Sequence, residues 1–413
     1  MVCRNLLVLT AVALCASAEE RLRLDELVAE ALRANPEILA AQKRYEAARQ
    51  RPAQESSLPG PMLSLGYTSS GSPRPFAGLG REPVANAGVM LSQEFPFPGK
   101  RKLRGEIAAK EADADFQQYQ AAQLSIISRV KQAYYRLGYA WAAQEVLERN
   151  RDLLRTFLRA TEARYAVGQA QQQDVFKAQT QLSILETRLA RLTQERLSRE
   201  AELNSLLARP VDSPLARPAE VAPASLRVPL EELLKQARDQ APLLRREENM
   251  IQRAELAVNL ARKEYYPDYT LSAGVYHMGA MPSMYMARVD FKLPTWFGGK
   301  QRAGVAEQVS SLSQARRNYE AAGQTLAFRL RDDYLMAETS HRLLEMYETT
   351  VIPQSRLALQ SSLAAYETGG VDFLTVLANF TTMLDYELNY HEELQSYLLA
   401  LARLEEMTGV SLT

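Results

Sequence analysis

The sequence predicts a mainly α protein of long antiparallel coiled-coil helices, broken by two β-hairpins, with the whole arrangement occurring twice along the chain. Three observations lead there. Two stretches, Lys100–Tyr165 and Lys300–Tyr366, hold almost no helix breakers: the first has no proline and the second only Pro353. Four short segments alternate apolar and polar residues with the period of a strand. Finally, the chain resembles itself at an offset of about 200 residues, the mark of an internal repeat. EFPFPGKR (Glu94–Arg101) returns as DFKLPTWFGGKQ (Asp290–Gln301), placing Lys100 and Lys300 at equivalent points. RYAVG (Arg164–Gly168) returns as AYETG (Ala365–Gly369), and LDELVAEALRANP (Leu24–Pro36) as LEELLKQARDQAP (Leu230–Pro242). A chain that builds one substructure twice suits a pseudo-symmetric assembly better than an enzyme with one asymmetric pocket.

The elements follow in order. Residues 1–18 read as a secretory signal: Arg4 is the positive end, Leu6–Cys15 the apolar run and Ala16-Ser17-Ala18 the cleavage site. The run is too short to span a bilayer. Processing as a lipoprotein at Cys15 ranks lower, because bulky Leu14 stands where a small residue is wanted. Leu24–Ala34 is an amphipathic helix, and Asn35-Pro36 restarts a second one, with asparagine as N-cap and proline at the first helical position. Within Pro61–Ser70, Leu63, Leu65 and Tyr67 alternate with Ser64, Gly66 and Thr68; Asn86–Phe95 puts Val89, Leu91 and Phe95 on one face. These make a hairpin over about residues 61–95. Asp268–His277 and Met284–Lys292 alternate likewise and make a second over about 268–293. Segments of about ten residues, apolar on one side and polar on the other, fit a transmembrane barrel or a sandwich with a wet face. Four strands cannot close a barrel, so the barrel reading requires strands from other subunits.

The long helices begin at Lys100 and Lys300 and return through Asp174–Ala208 and Phe373–Thr408. At about 1.5 Å per residue each outward arm spans roughly 100 Å. Leu182, Leu185, Leu189, Leu192, Leu203 and Leu206 keep a coiled-coil spacing, broken by Arg196 and Arg199. The expected organisation is thus a first repeat over 19–210 with its helical hairpin at 100–208, a Pro-rich linker over 211–228, and a second repeat over 229–413 with its hairpin at 300–408.

Composition narrows function. The chain has 49 basic and 49 acidic residues and no basic patch, unlike a nucleic-acid binder. Cys3 and Cys15 are its only cysteines, so a chain cut after Ala18 carries no disulfide or thiolate site. No catalytic motif appears, His277, His341 and His391 stand apart, and no cofactor is expected. The Pro-Gly-Lys segments lack phosphate-loop spacing and read as strand-to-helix corners. Met278, Met281, Met284 and Met286 beside His277 form a Met-rich hairpin loop. Thioethers suit Cu(I), but an adaptable apolar loop is the favoured reading, and no metal site is expected. At both helix ends Tyr-x-x-Gly recurs, as Tyr165–Gly168 and Tyr366–Gly369: a helical turn, and also a docking tip at the far end from the strands.

Signal, repeats, hairpins and long coiled coils together resemble the outer membrane efflux proteins, the TolC-like family, across essentially the whole mature chain. ANPEI (Ala34–Ile38), EFPFPGKR, RYAVG and AYETGG carry the resemblance, and the PGKR corner looks most like the metal-efflux CzcC and CusC type. The resemblance implies a homotrimer whose chains build one 12-stranded barrel in outer-membrane lipid, with a periplasmic helical tunnel below. It implies a periplasmic adaptor at the tips and an inner-membrane pump, of the RND type, as the energy source. Arg164, Tyr165, Val167, Gly168, Tyr366 and Gly369 would then meet the adaptor. The paired aspartates that ring the family's closed entrance align here with Thr375 and with Asn379 or Ala378, leaving Asp174 and Asp372 as gate candidates. The function so implied is an exit duct for metal cations or small toxic compounds. A soluble periplasmic coiled-coil adaptor or scaffold, and a long-helix hydrolase using the Met/His cluster, are the rivals.

Overall fold

The computed structural model describes residues 21–412 apart from 72, 223–225, 227 and 295–298. The expected signal with Cys3 and Cys15, Pro223 of the linker, and part of the second corner lie outside the described residues. Helix α1 spans Leu24–Ala34, α2 Pro36–Ala48 and α3 Arg51–Ser56. The Asn35 side chain accepts from the Glu37 and Ile38 amides, capping α2, and donates to the Leu206 carbonyl at 2.9 Å. Strands β1 (Met62–Thr68) and β2 (Asn86–Phe95) follow, then α4 (Lys100–Ala166) and α5 (Gln172–Leu206). After the linker come α6 (Leu230–Gln240), α7 (Pro242–Lys263), β3 (Asp268–Met278), β4 (Met281–Lys292), α8 (Lys300–Met346), α9 (Ile352–Glu367) and α10 (Phe373–Thr408).

Helix α4 has 67 uninterrupted residues, roughly 100 Å of helix. Its counterpart is not continuous: Tyr347–Val351 between α8 and α9 forms a π-helical segment. Pro353 follows directly. A proline ring clashes with the carbonyl four residues back, here that of Thr349, and a widened turn relieves the clash. The helices pack in two apolar clusters. One joins α1, α4, α6, α8 and α10 through Leu27, Tyr134, Leu137, Leu330, Tyr397 and Leu401. The other, further along the stalk, joins α4, α5, α9 and α10 through Leu154, Leu185, Leu359 and Phe380.

The four strands form one antiparallel sheet in the order β1-β2-β3-β4. Its register sorts side chains by face. One face carries the cross-strand rows Leu63–Leu91–Ala273–Ala287 and Leu65–Val89–Val275–Tyr285. These residues are bare: Leu65 is 76% exposed and Tyr285 79%. Phe95, Tyr269 and Phe291 make an aromatic row at the helix end of that face. Tyr67 ends the face at the other side. The span between the aromatic rows is eight residues of β2, about 26 Å along the strand, matching the apolar band of a membrane barrel. The opposite face carries Ser92, Glu94, Thr270, Ser272, Arg288 and Asp290, with Ser92 and Ser272 hydroxyls hydrogen-bonded at 2.9 Å. Among the described residues no helix is long and apolar enough to cross a membrane.

Sheet and stalk meet at Lys100. Its side chain is 1% exposed, so its ammonium must find partners inside the fold. It donates to Asp268 (3.0 Å), Glu264 (3.2 Å) and the Tyr266 carbonyl (3.1 Å), filling all three N–H positions. Asp268 also accepts from the Phe97 amide at 2.7 Å, and Phe97 stacks on Tyr266 with centroids 4.5 Å apart. The two equivalent lysines therefore differ: Lys300, which opens α8, is exposed. Removing one partner of a buried pair costs about 3 kcal/mol or more. Lys100→Ala is accordingly expected to lower the melting temperature of the detergent-purified protein by several degrees, and Lys300→Ala to leave that of the isolated chain unchanged.

A cation on the lipid side of a barrel costs about 2–4 kcal/mol at mid-bilayer. Leu91→Arg, in the central row of the apolar face, is expected to block membrane assembly. Thr270→Lys, between Glu94 and Asp290 on the polar face, is expected to assemble normally. Equal membrane yields of the two variants would refute this assignment of faces.

Candidate functional site

The stalk ends in two tight turns that share one construction. Gly168 and Gly369 adopt φ of +73° and +77°, a left-handed conformation that reverses the chain without a Cβ clash. The Gln169 amide donates to the Arg164 carbonyl at 2.8 Å, and the Gly370 amide to the Ala365 carbonyl at 2.7 Å, closing both helices alike. Tyr165 is half-exposed, and Val167, at 68% exposure, is the most accessible apolar side chain of the tip. Arg164 turns away from solvent toward the other tip. Its guanidinium lies 4.5 Å from the Tyr366 ring centroid and donates to the Tyr366 carbonyl at 2.9 Å. The ring in turn packs on Phe373. Arg164 and Tyr366 are thus brought together as a latch between the two helical hairpins, while Val167, Gly168 and Gly369 face outward.

The gate candidates divide. Asp372 is the N-cap of α10, accepting from the Thr375 amide at 2.9 Å. The Thr375 hydroxyl and amide hold its carboxyl below the ordinary range, and the positive charge of Lys177 on α5 lowers it further. Asp174 lies in the first turn of α5, half-buried. Arg196, read as a polar break in the α5 seam, has a place too: it stacks over Trp141 of α4 at 4.7 Å and pairs with Glu200 at 2.6 Å.

A clamp higher in the stalk escaped sequence reading. Glu387 of α10 is buried between Arg356 of α9, which donates through Nη2 at 2.6 Å, and Arg149 of α4 at 2.8 Å. Burial alone would raise its pKa. Hydrogen bonds from Arg356 and Arg149 overcome that and hold it below the usual carboxylate value. Three helices therefore meet on one carboxylate close to the π-helical segment. The available signal was spacing: Glu387 falls three residues after Leu384 and seven after Phe380, on the apolar stripe of α10, whereas Asp385 does not.

The methionine cluster is corrected by the structure. Only Gly279 and Ala280 make the hairpin turn, with Met278 and Met281 paired across it. Met284 and Met286 sit inside β4, on its polar face opposite Tyr276 and Gly274. The reason is that alternation continues through Met281-Pro282-Ser283, so the strand begins earlier than the loop reading allowed. No group of three His, Cys, Asp or Glu residues able to hold a metal occurs among the described residues.

Against known proteins, the sequence profile described as outer membrane efflux protein matches residues 27–209 and 233–410. The chain belongs to the outer membrane efflux protein family. It is 23% identical over 405 residues to the outer membrane protein TolC of Vibrio cholerae, covering 94% of this chain and 90% of that protein. It is 20% identical over 312 residues to the cobalt-zinc-cadmium resistance protein CzcC of Cupriavidus metallidurans, covering 75% of this chain and 74% of that one. The crystal structure of CusC superposes with a TM-score of 0.80 at 17% identity, over 93% of this chain and 91% of that one. An outer membrane efflux protein is a channel and not an enzyme, so the rival hydrolase reading falls. Its place is the outer membrane, with the helices extending into the periplasm.

The Glu387 clamp stabilises the folded stalk in its ionised form. Because its folded pKa lies below the ordinary 4.5, that contribution is complete above 4.5 and is lost as pH falls through the lower folded value. Both arginines keep solvent contact, so the effect of Glu387→Ala is set at about 1.4 kcal/mol, near tenfold in local opening. Hydrogen-exchange protection of residues 347–360 is expected to drop about tenfold in Glu387→Ala. In the wild type it is expected to weaken in acid, and in the variant to lose that acid dependence.

Proposed function

We propose that this outer membrane efflux protein works as a homotrimer, the exit duct of a tripartite system that carries metal cations out of the cell. Each chain contributes its four strands to one closed barrel, and its helical hairpins to a tunnel through the periplasm. The carrying observation is the sheet. Its apolar face is exposed, and its two outer strands, β1 and β4, each have one edge with no partner strand among the described residues. An open edge and a bare apolar face are both satisfied by closure with further copies in lipid. Lys300, exposed at the start of α8, lies where the next copy would cover it, as α7 and β3 cover Lys100.

The duct performs no chemistry. A periplasmic adaptor would engage the outward residues of the tips, Tyr165, Val167, Gly168 and Gly369, and an inner-membrane pump, in this reading of the RND type, would supply the energy. Asp174 and Asp372, close behind the tips, are the acidic groups placed to favour cations at the entrance. CzcC, among the relatives, is a cobalt-zinc-cadmium resistance protein, which supports metal over drug as cargo.

Fractionation with native mass measurement in mild detergent tests the assembly: a trimer in the outer-membrane fraction is expected, and a soluble monomer would end the duct reading. Val167→Asp at the most exposed apolar tip position is expected to weaken adaptor capture about tenfold without changing the trimer. Unchanged capture would remove the tip from the docking surface.

A further inference from the structure

We propose that the polar face of the sheet holds a binding site for a soft monovalent cation, Ag(I) or Cu(I), formed by Met90, Met284 and Met286 around the Tyr276 ring, which overlies Gly274. The proposal deepens the metal-duct reading and rests on it for the orientation of this face toward the channel.

The register assembles the site. Met90 of β2 is opposite Gly274 of β3, and Gly274 is opposite Met286 of β4. Met90 and Met286 thus flank a residue without a side chain, on strands about 10 Å apart. Met284 lies two residues from Met286 on the same face, about 6.6 Å along β4. A Cβ placed on Gly274 would lie 3.1 Å from Tyr276 Cε2 and 3.2 Å from Met90 Cβ. One on Gly88 would lie 2.4 Å from Tyr276 Cδ1. The Tyr276 ring therefore lies over Gly88 and Gly274, beside Met90, and Met286 is the register partner of Gly274 on β4.

Donor chemistry selects the cation. Thioethers are neutral, soft ligands, matched to a soft monovalent ion, and an aromatic face adds cation–π attraction. Hard ligands are kept away. The nearest row, Ser92–Ser272–Arg288, supplies one charge, and Arg288 is paired with Asp290 at 2.9 Å. Glu94 and Asp290 lie two rows from Gly274, about 13 Å along the strands. Zn(II) and Co(II), which favour imidazole and anionic donors, find none in the rows of Gly274 and Tyr276. Leucine or isoleucine would serve packing equally well, yet Met90, Met284 and Met286 gather in two adjacent rows of a face that otherwise carries glycine, serine, threonine, tyrosine and charged residues, with Met62 beside Ser92 in the next row. Met278 and Met281 lie beyond the register shift between Tyr276 and Met278 and are outside the site.

The test is calorimetric titration of the detergent-purified protein with silver nitrate in chloride-free buffer, with zinc nitrate in parallel. The wild type is expected to bind Ag(I), and Met90→Leu/Met284→Leu/Met286→Leu, which conserves volume, to bind it at least about tenfold more weakly. Met278→Leu/Met281→Leu is expected to match the wild type, and Zn(II) to show no difference among the three. A wild type that ignores Ag(I), or a triple variant that retains its affinity, overturns the site. If the triple variant does not assemble, Met90→Leu and Met286→Leu singly carry the test, each expected to weaken Ag(I) binding and each able to overturn the site by leaving it intact. The same preparations are sized by native mass: a trimer that ignores Ag(I) removes the site and leaves the duct, whereas a soluble monomer removes the duct first.

Discussion

An ammonium group kept from water must be met on every N–H, and at Lys100 that requirement joins regions far apart in sequence. The lysine opens α4, at the start of the longest helix. Its partners Glu264, Tyr266 and Asp268 come from the end of α7 and the start of β3. Through Asp268 the same cluster reaches the Phe97 amide in the preceding corner. Sheet and stalk are therefore not two bodies on a flexible neck. The point where strand becomes helix is also the point where the two halves of the chain are tied. A sheet placed in lipid and a stalk placed in water keep a fixed relation because one buried charge cannot be left unpaired.

The sheet imposes the second constraint. Its register puts most large apolar groups on one face and serines, threonines and charges on the other; the exceptions are Gln93 and His277 on the apolar face and Met62, Met90, Met284 and Met286 on the polar one. Nothing among the described residues covers the apolar face, so the free energy that organises this region comes from its surroundings. The helices are the reverse case. Many of their apolar positions are buried inside the chain, in two clusters along the stalk, while their exposed faces carry charge pairs such as Arg188 with Asp385 together with single apolar groups such as Phe328 and Leu357.

Much of this was legible in residue order because it depends on local rules. Alternation located all four strands, and Asn35-Pro36 marked a helix start that the asparagine side chain does cap. Gly168 and Gly369 marked the turns because only a residue without a Cβ takes that conformation easily. What stayed hidden depends on pairing at a distance. Periodicity does not reveal that Lys100 meets Asp268, that Glu387 meets Arg149, or that Arg164 lies on Tyr366. Pro353 announced a disturbance, but the same residue stops one helix and merely widens another; here packing of α9 on α10 carried the helix through. Methionine fits strand and loop alike, so the start of β4 at Met281 was missed, although Met284 and Met286 were placed in a strand, and Met90, hidden by parity on the polar face, was overlooked.

The contact of Arg164 with Tyr366 has a mechanical consequence. It crosses from the end of α4 to the end of α9, so neither helical hairpin can swing at its free end without carrying the other or breaking a cation–π contact and a hydrogen bond together. A chain joined this way behaves at its tip as a single lever. In the proposed ring of three such chains the mouth would have three moving parts instead of six, and whatever pulls on one turn would be felt at both.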